Sequence, residues 1–274
     1  MNTERPTISI LGAGWLGLPL GAHLAKAGYS AKGSTTRPEK LDTIREAGLE
    51  AYEVTVDEQV KGPDLKHFFD CDILIVNIPP GRRQTNVEEY HFQQIRAVYE
   101  AAVAAGVSHL LFISSTGVYG NLNRVVTEAD LPNPSRASGV ALAKIEEFLR
   151  AQTAMEVTIL RMAGLAGSNR KAGRFLAGKK NVSNPEAPVN MVHLEDCIGV
   201  IQTVIEKGKW GDVFNVSADK HPSRKEFYIS QAEKDGLEPP TFQEDGEPDY
   251  KIISNEKVRV ELGYQFRHPD PLAF

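Results

Sequence analysis

The chain has 274 residues, of which 41% are hydrophobic and 24% are charged. This composition is that of an ordinary globular protein and excludes disordered, collagen-like and disulfide-rich classes. The net charge of −5 provides no overall field that would attract nucleic acid or an acidic membrane surface.

The first residues predict a strand, a turn and a helix. The apolar run at 8–28 contains five glycines together with His23 and Lys26, so we expect a strand, a turn and a helix here rather than a membrane span or signal peptide. Cys71 and Cys197 show no metal-binding or redox spacing, so we expect buried, inert thiols. The expected location is the cytoplasm, because this cysteine content fits a reducing compartment.

Short β-type runs alternate with longer helical patterns. The predicted strands are 7–11, 29–33, 50–56, 72–78, 109–114, 157–161 and 212–217. The predicted helices are 15–27, 38–47, 86–105, 136–151 and 194–207. This alternation is typical of βαβ units. The sequence therefore predicts an α/β fold with a doubly wound parallel sheet of the Rossmann type.

The pattern changes near residue 164 to Gly, Asn, Lys and Pro, with a short apolar run at 189–192. Weaker helical patterns follow near 223–236 and 254–262. We interpret 1–163 as a dinucleotide-binding domain and 164–274 as a small C-terminal substrate lobe. Strand 212–217 is expected to return to the sheet of the first domain.

A G-x-G-x-x-G sequence at residues 12–17 links the first strand to the first helix. Gly12 would allow a tight turn, Gly14 the approach of a diphosphate, and Gly17 close packing of the helix on the strand. The N–H groups and the dipole of the helix N-terminus favour phosphate. We expect these glycines, Trp15 and Leu16 to bind a dinucleotide. A purely structural turn is the alternative for this motif, and for Trp15 itself packing is favoured over cofactor contact.

The end of the second strand indicates which dinucleotide binds. NAD sites usually place an acid there, whereas NADP sites have an arginine with small hydroxyls. Thr35, Thr36 and Arg37 occupy these positions, with no acid between Gly17 and Arg37. We expect them to bind the 2′-phosphate of NADP, with NAD less favoured. In a compatible alternative, Thr36 caps the next helix, Pro38 lies in its first turn and Arg37 is solvated.

The strand at 72–78 ends where doubly wound sheets bind ligands. Ile78, Pro79 and Pro80 lie at this end, and we expect their rigid backbone to contact the adenosine half of the cofactor. Arg82 and Arg83 follow. They either reach phosphate or are simply solvated charges.

A series of motifs resembles the short-chain dehydrogenase/reductase superfamily, most closely its extended, epimerase/dehydratase-like branch. The motifs are SSTGVYG at 114–120, Glu128, the prolines at 132 and 134, VTILR at 157–161, HLED at 193–196 and ELGY at 261–264. The resemblance covers nearly the whole chain, which is shorter than typical extended members. It implies that Ser115 binds the reacting oxygen and that Ser114 contributes to the cofactor site.

The resemblance also implies a proton relay of one tyrosine and, four residues later, one lysine. The corresponding positions hold Ser138 and Leu142, which do not titrate near neutral pH. Lys144 lies about 200° further around the helix axis, and we expect it to pair with Glu147. The small residues at 137–144 are expected to let this helix pack closely. Tyr119 is the other candidate for proton transfer, with packing or substrate contact as the alternative.

The second lobe suggests an anionic ligand. Residues 157–185 contain no acid but carry six basic residues: Arg161, Arg170, Lys171, Arg174, Lys179 and Lys180. We expect Arg174 and Lys179 to bind substrate, with a solvated loop as the alternative. His193 is expected to contact substrate by resemblance, or to be structural. Its spacing to Asp196 offers no third metal ligand, so no metal is expected.

Two classes of function follow. The first is an atypical NAD(P)-dependent oxidoreductase or epimerase that acts on an anionic small molecule, such as a nucleotide sugar. Ser115 would polarise a carbonyl, and water, substrate or Tyr119 would handle the proton. The second is a non-catalytic NADP-binding redox sensor or regulatory protein. No nucleic-acid or membrane partner is expected, and helices 86–105 and 136–151 are candidates for a homodimer interface.

Overall fold

The computed structural model describes residues 5–81, 86–167, 169–244 and 249–274. The strands in chain order are β1 (Ile8–Leu11), β2 (Ala31–Thr35), β3 (Glu50–Glu53), β4 (Thr55–Val56), β5 (Val60–Lys61), β6 (Ile73–Val76), β7 (His109–Ser115), β8 (Val125–Val126), β9 (Glu156–Met162), β10 (Gly164–Ala166), β11 (Met191–His193), β12 (Val213–Val216) and β13 (Ile252–Ile253). The helices are α1 (Gly17–Lys26), α2 (Leu41–Glu46), α3 (Leu65–Phe69), α4 (Val87–Ala105), α5 (Ala137–Arg150), α6 (Leu194–Lys207), α7 (Arg224–Lys234) and α8 (Glu256–Glu261).

A seven-stranded sheet in the order β12-β9-β7-β6-β1-β2-β3 forms the centre of the fold. The pairs from β3 through β2, β1 and β6 to β7 are all parallel. Strand order reverses between β1 and β6, and doubly wound sheets bind ligands outside the carboxyl ends of the strands at such a point. The predicted Rossmann fold is confirmed, including the return of the strand at 212–217 to the sheet.

The middle strands are buried on both faces. All four residues of β1 and all four of β6 are buried, which explains why their sequences are almost continuously apolar.

The start of α4 is fixed by a side-chain cap. Asn86 accepts a hydrogen bond from the Glu89 N–H and so caps the helix, as a short polar side chain at this position is expected to do. The sequence thus determines both the depth of the strands and the start of the helix.

The chain divides into two compact units. The first comprises Met1–Val118, Pro134–Leu160 and Gly208–Val213, and the second comprises Tyr119–Asn133, Arg161–Lys207 and Phe214–Phe274. The predicted boundary, between residues 163 and 164, lies three residues after the division between Leu160 and Arg161. The division differs from the predicted one mainly in the segment 119–133, which belongs to the second unit.

Short parallel pairs, β10 with β11 and β8 with β13, build the second unit. Its small core contains Ala166, Met191 and Phe227. Asp196, in the first turn of α6, is fully buried. Its carboxylate accepts hydrogen bonds from the Tyr264 hydroxyl at 2.9 Å and from the N–H groups of Arg267 and His268 at 2.7 and 3.0 Å. Asp196 therefore fixes residues 264–268 against the start of α6.

Some local expectations need correction. The run at 50–56 is not one strand, because β3 stops at Glu53 and β4 turns into a hairpin with β5. The helix expected at 38–47 begins as a 3-10 turn at Pro38–Lys40 before α2.

Cys197 is buried and Cys71 half-buried, both as free thiols, and burial raises the pKa of each. Among the described helices, none has an apolar stretch long enough to cross a bilayer.

Candidate cofactor site

The turn after β1 is held by the ends of two neighbouring strands. Gly12 has a φ of +100°, a conformation that favours glycine. Its N–H donates to the Ser34 hydroxyl at 3.0 Å, and its carbonyl oxygen accepts from the Asn77 side-chain amide at 3.1 Å. A Cβ on residue 12 would lie 2.7 Å from the Asn77 carbonyl oxygen. The turn between β1 and α1 therefore requires glycine at this position.

Gly14 and Gly17 have opposite surroundings. A Cβ on Gly17 would lie 2.2 Å from the Gly12 carbonyl oxygen, so α1 can approach the turn only with glycine there. Gly14 is exposed, and a Cβ on it would meet nothing within 4 Å. The first N–H groups of a helix have no intrahelical acceptor and carry partial positive charge. Open space beside Gly14 at this helix end fits a diphosphate.

Trp15 and Leu16 differ in exposure. Leu16 is 3% exposed, so its side chain belongs to the core and only its backbone is available to a cofactor. Trp15 is half-buried, a position compatible with packing or with cofactor contact.

Three residues follow the buried part of β2 at the surface. Thr35 is half-buried and accepts a hydrogen bond from the Arg37 N–H at 3.1 Å, while Thr36 and Arg37 are exposed. The capping role suggested for Thr36 is wrong, because Arg37 is the residue before the 3-10 turn and no described side chain caps that turn. Pro38 does open the turn, as predicted. The Arg37 side chain therefore extends into solvent beyond the strand.

Ile78, Pro79 and Pro80 follow β6 on the other side of the reversal in strand order. Ile78 lies beside the glycine turn, because a Cβ on Gly12 would be 3.2 Å from Ile78 Cγ2. Pro79 is exposed, whereas Ile78 and Pro80 are half-buried. Arg82 and Arg83, the two candidate phosphate contacts, lie outside the described residues. Asn77, which holds the turn, was not predicted as a site residue.

Ser114 and Ser115, at the end of β7, have different partners. The Ser114 hydroxyl is buried and donates to the Glu146 carboxylate at 2.5 Å. The Ser115 hydroxyl accepts from the Gly117 N–H at 3.0 Å and is half-buried. Sequence reasoning missed Glu146, although it lies one helical turn after Leu142 on the inner side of α5. The Ser114 hydroxyl therefore links β7 to α5.

The start of α5 is packed rather than equipped for proton transfer. Ser138 is exposed and Leu142 is 6% exposed. A Cβ on Gly139 would lie 2.4 Å from the Gly117 carbonyl oxygen and 2.8 Å from Pro134 Cβ. The prediction that small residues let this helix pack closely is confirmed at Gly139.

Lys144 has a different partner from the one predicted. Its ammonium lies 2.7 Å from the Glu89 carboxylate of α4 and 4.3 Å from the centre of the Phe92 ring. The predicted pairing with Glu147 is wrong, because α4 packs along α5 and presents a carboxylate and an aromatic face. Phe148 of α5 also contacts Phe92, edge to face, with ring centres 5.4 Å apart.

Tyr119 is held inside the second unit. The side chain is 2% exposed, and its hydroxyl donates to Asn215 Oδ1 at 3.0 Å and accepts from the Arg161 guanidinium. Burial raises the pKa of the Tyr119 phenol, although Arg161 opposes this change. A base that works near neutral pH needs a lowered phenol pKa. These contacts favour a structural role for Tyr119 over proton transfer.

Acids from outside the basic run neutralise part of its charge. Lys171 lies 2.9 Å from the Asp235 carboxylate, and Lys180 lies 2.5 Å from that of Glu238. The Arg170 guanidinium donates to the Leu165 carbonyl oxygen at 3.0 Å.

Arg174 and Lys179, the two predicted substrate contacts, are both exposed. Neither side chain has an ionic or hydrogen-bond partner among the described residues. These two cations are therefore available to an anion.

His193 ends β11 and is half-buried. Its Nδ1 accepts from the Glu195 N–H at 3.3 Å, and its ring centre lies 3.8 Å from that of His268. Burial, with a smaller contribution from His268, lowers the pKa of His193. Sequence spacing offered no third ligand, but the fold brings His268 to this position. No local pattern predicts that contact, because 75 residues separate the two histidines.

The parallel sheet with its reversal in strand order and the glycine turn after β1 are the features of an NAD(P)-binding Rossmann fold. Residues 12–193 match the family model described as NAD(P)H-binding. Protein YeeZ of Escherichia coli K12 is 36% identical over 269 residues, which is 97% of each chain. The chain belongs to the NAD(P)H-binding family.

Solved structures share the fold over nearly the whole chain. A conserved protein of unknown function from Silicibacter pomeroyi has a TM-score of 0.80 at 22% identity, with 98% of this chain and 96% of that chain covered. WbmG of Bordetella bronchiseptica, solved with NAD, has 0.79 at 22%, covering 99% and 93%. UDP-glucose 4-epimerase of Thermotoga maritima, solved with UDP-glucose, has 0.77 at 19%, covering 95% and 94%. These likenesses concern the fold alone.

Proposed function

We propose that the protein binds NADP(H) in preference to NAD(H). The observation that carries this proposal is the exposed Arg37 side chain two residues after β2, with no acid between Gly17 and Arg37. A guanidinium binds a phosphate through two parallel hydrogen bonds, and the hydroxyls of Thr35 and Thr36 supply further donors. When bound, the cofactor would supply hydride chemistry, and the protein would supply its position.

Replacing Arg37 tests this preference. Arg37→Ala is expected to weaken NADPH binding about tenfold or more, because a charged hydrogen-bonded contact to the 2′-phosphate is lost, while NADH affinity stays the same. Titration calorimetry with both cofactors measures the two affinities. Arg45→Ala is the matched control, since Arg45 is also an exposed arginine and pairs with Asp42 in α2. Equal affinities for NADPH before and after the Arg37 change would refute the preference.

We further propose an oxidoreductase or epimerase-like reaction on an anionic small molecule such as a nucleotide sugar. The Ser115 hydroxyl, half-buried at the end of β7, would polarise a carbonyl, and water or the substrate would handle the proton. In the second unit, Arg174 and Lys179 are two exposed cations of the basic run that have no partner among the described residues, which supports an anionic ligand. Both kinds of contact stabilise developing or permanent negative charge.

Turnover assays test the reaction. Stopped-flow measurements would follow NADPH oxidation against panels of carbonyl compounds and nucleotide sugars. Ser115→Ala should abolish any activity found, and Arg174→Ala should raise KM far more than Lys171→Ala, whose lysine is already paired with Asp235. Activity that survives Ser115→Ala would refute the role of this hydroxyl.

A non-catalytic role as an NADP-binding redox sensor is the second candidate. The observations that favour it are Ser138 and Leu142 at the family's acid–base positions and the burial of Tyr119. Tight cofactor binding with no turnover on any substrate would support it. A substrate that is turned over would exclude it.

A further inference from the structure

Three side chains with metal-binding chemistry meet in the second unit, and neither the cofactor nor the proposed reaction uses them together. His193 ends β11, Glu195 lies in the first turn of α6, and His268 lies in the C-terminal segment. Each offers one nitrogen or oxygen ligand atom, and these atoms all lie within 4.8 Å of one another. This is the only three-ligand group of histidine, cysteine and carboxylate found among the described residues.

The positions of the three side chains are fixed by the surrounding structure. Glu195 Oε2 lies 3.0 Å from His268 Nε2. The backbone of His268 is anchored, because its N–H donates to the buried Asp196 carboxylate at 3.0 Å. His193 packs against residue 167, where a Cβ would lie 2.6 Å from its Nε2, so the ring has room only because that residue is glycine.

The shell around the group is apolar on one side. The Phe274 ring centre lies 5.4 Å from that of His193 and 6.3 Å from that of His268. Side-chain exposure is 30% for His268 and 56% for Glu195. A small ion therefore has access from solvent, while the aromatic ring shields part of the group from water. An apolar shell of this kind controls solvent access and the local dielectric of metal sites.

We propose that His193, Glu195 and His268 bind one divalent transition-metal ion of the zinc class. Two imidazoles and one carboxylate are the ligands that zinc and its neighbours prefer, whereas magnesium and calcium prefer oxygen ligands alone. Three protein ligands leave at least one position of a tetrahedral ion open to water or to a ligand. The ion would join the end of β11 and the start of α6 to the C-terminal segment.

Binding requires small local changes. At metal–ligand bonds of about 2.1 Å, tetrahedral ligand atoms lie about 3.4 Å apart, so the longer separations must close by roughly an ångström. The ion would take the place of the contact between Glu195 Oε2 and His268 Nε2, which are 3.0 Å apart. His193 would give up the 3.3 Å hydrogen bond at Nδ1, which is long for a hydrogen bond and therefore weak. Glu195, whose side chain is 56% exposed, has room to make this movement.

Metal titration of the full chain, freed of any histidine tag, tests the proposal. We expect Zn²⁺ to bind at one ion per chain with micromolar or tighter affinity, and the thermal midpoint to rise with Zn²⁺ concentration because only the folded chain presents the three ligands together. Co²⁺ at the same site should give the intense visible absorption of a tetrahedral complex, a readout that does not depend on activity.

Three variants make the test specific. His268→Gln and Glu195→Gln should each weaken Zn²⁺ binding at least tenfold. His67→Gln is the matched control, because His67 also contacts a carboxylate, that of Asp64 at 2.7 Å, but outside any three-ligand group of the described residues. If His268→Gln does not fold, Glu195→Gln and the Co²⁺ spectrum of the unaltered chain still decide. No binding, or binding unchanged in Glu195→Gln, would mean that Glu195 and His268 form an ion pair and nothing more.

Discussion

The turn after β1 and the first residues of α5 show opposite relations to the family that the sequence resembles. At the turn, Gly12, Gly14 and Gly17 keep the glycine spacing, and the backbone leaves open space beside Gly14 at the start of α1. At the helix, Ser138 and Leu142 occupy the positions where the resemblance implies a tyrosine and a lysine. Cofactor binding depends on backbone shape, whereas proton transfer depends on particular side chains.

The difference teaches that the two properties can be lost or kept separately. Helix α5 is still well packed, since Gly139 lies close to the Gly117 carbonyl and Leu142 is buried. The interior of α5 contributes to the core even though its family chemistry is absent. A fold can therefore keep its cofactor while the residues that use that cofactor change.

The largest expected effect comes from the glycine turn. Gly17→Ala places a methyl group 2.2 Å from the Gly12 carbonyl oxygen, and we expect it to lower the free energy of unfolding by about 3 kcal/mol, the upper end for overpacking. Gly14→Ala should leave stability unchanged but weaken NADPH binding about tenfold, because its methyl occupies the space for the diphosphate. Urea unfolding and calorimetry measure the two effects. Equal NADPH affinity in Gly14→Ala would contradict the placement of the cofactor.

The next effect separates core from surface on α5. Leu142→Ala should cost about 2 kcal/mol of unfolding free energy, because a buried leucine leaves a cavity. Ser138→Ala, four residues earlier and exposed, should change stability by less than about 0.5 kcal/mol. Urea unfolding of both variants makes the comparison. A larger loss at Ser138 than at Leu142 would mean that the helix is oriented differently.

The smallest effect concerns Lys144. Lys144→Met should lower the thermal midpoint by less than about 2 °C, because half-exposed ion pairs contribute little. A thermal double-mutant cycle should detect coupling of Lys144 to Glu89 and none to Glu147. Coupling to Glu147 alone would restore the pairing that the sequence suggests.

Periodicity and glycine spacing predict much of the molecule. All seven strands of the central sheet are predicted, because buried parallel strands are nearly continuous in apolar residues. The five residues of α3 and the two or three residues of β8, β10 and β13 are too short to show a period. The turn at 12–17 is predictable because it depends on residues adjacent in sequence.

The parts of the candidate sites that the sequence does not predict depend on contacts between residues distant in the chain. Glu146 meets Ser114 across 32 positions and His268 meets Glu195 across 73. Asp235, directly after α7, pairs with Lys171 of the basic run. Local composition does not show pairs of residues that are distant in sequence. The sequence therefore predicted the basic run without Asp235 and Glu238, and His193 without His268.

The carboxylate of Asp196 has a consequence for how the second unit is made. Its three hydrogen-bond donors all come from residues 264–268, which a ribosome adds roughly seventy residues after the aspartate itself. Until those residues emerge, the aspartate lacks the donors that compensate its burial, and burying an uncompensated charge is costly. The start of α6 should therefore reach its native packing only near the end of translation. A chain truncated before Tyr264 should refold poorly and be cleaved readily by proteases.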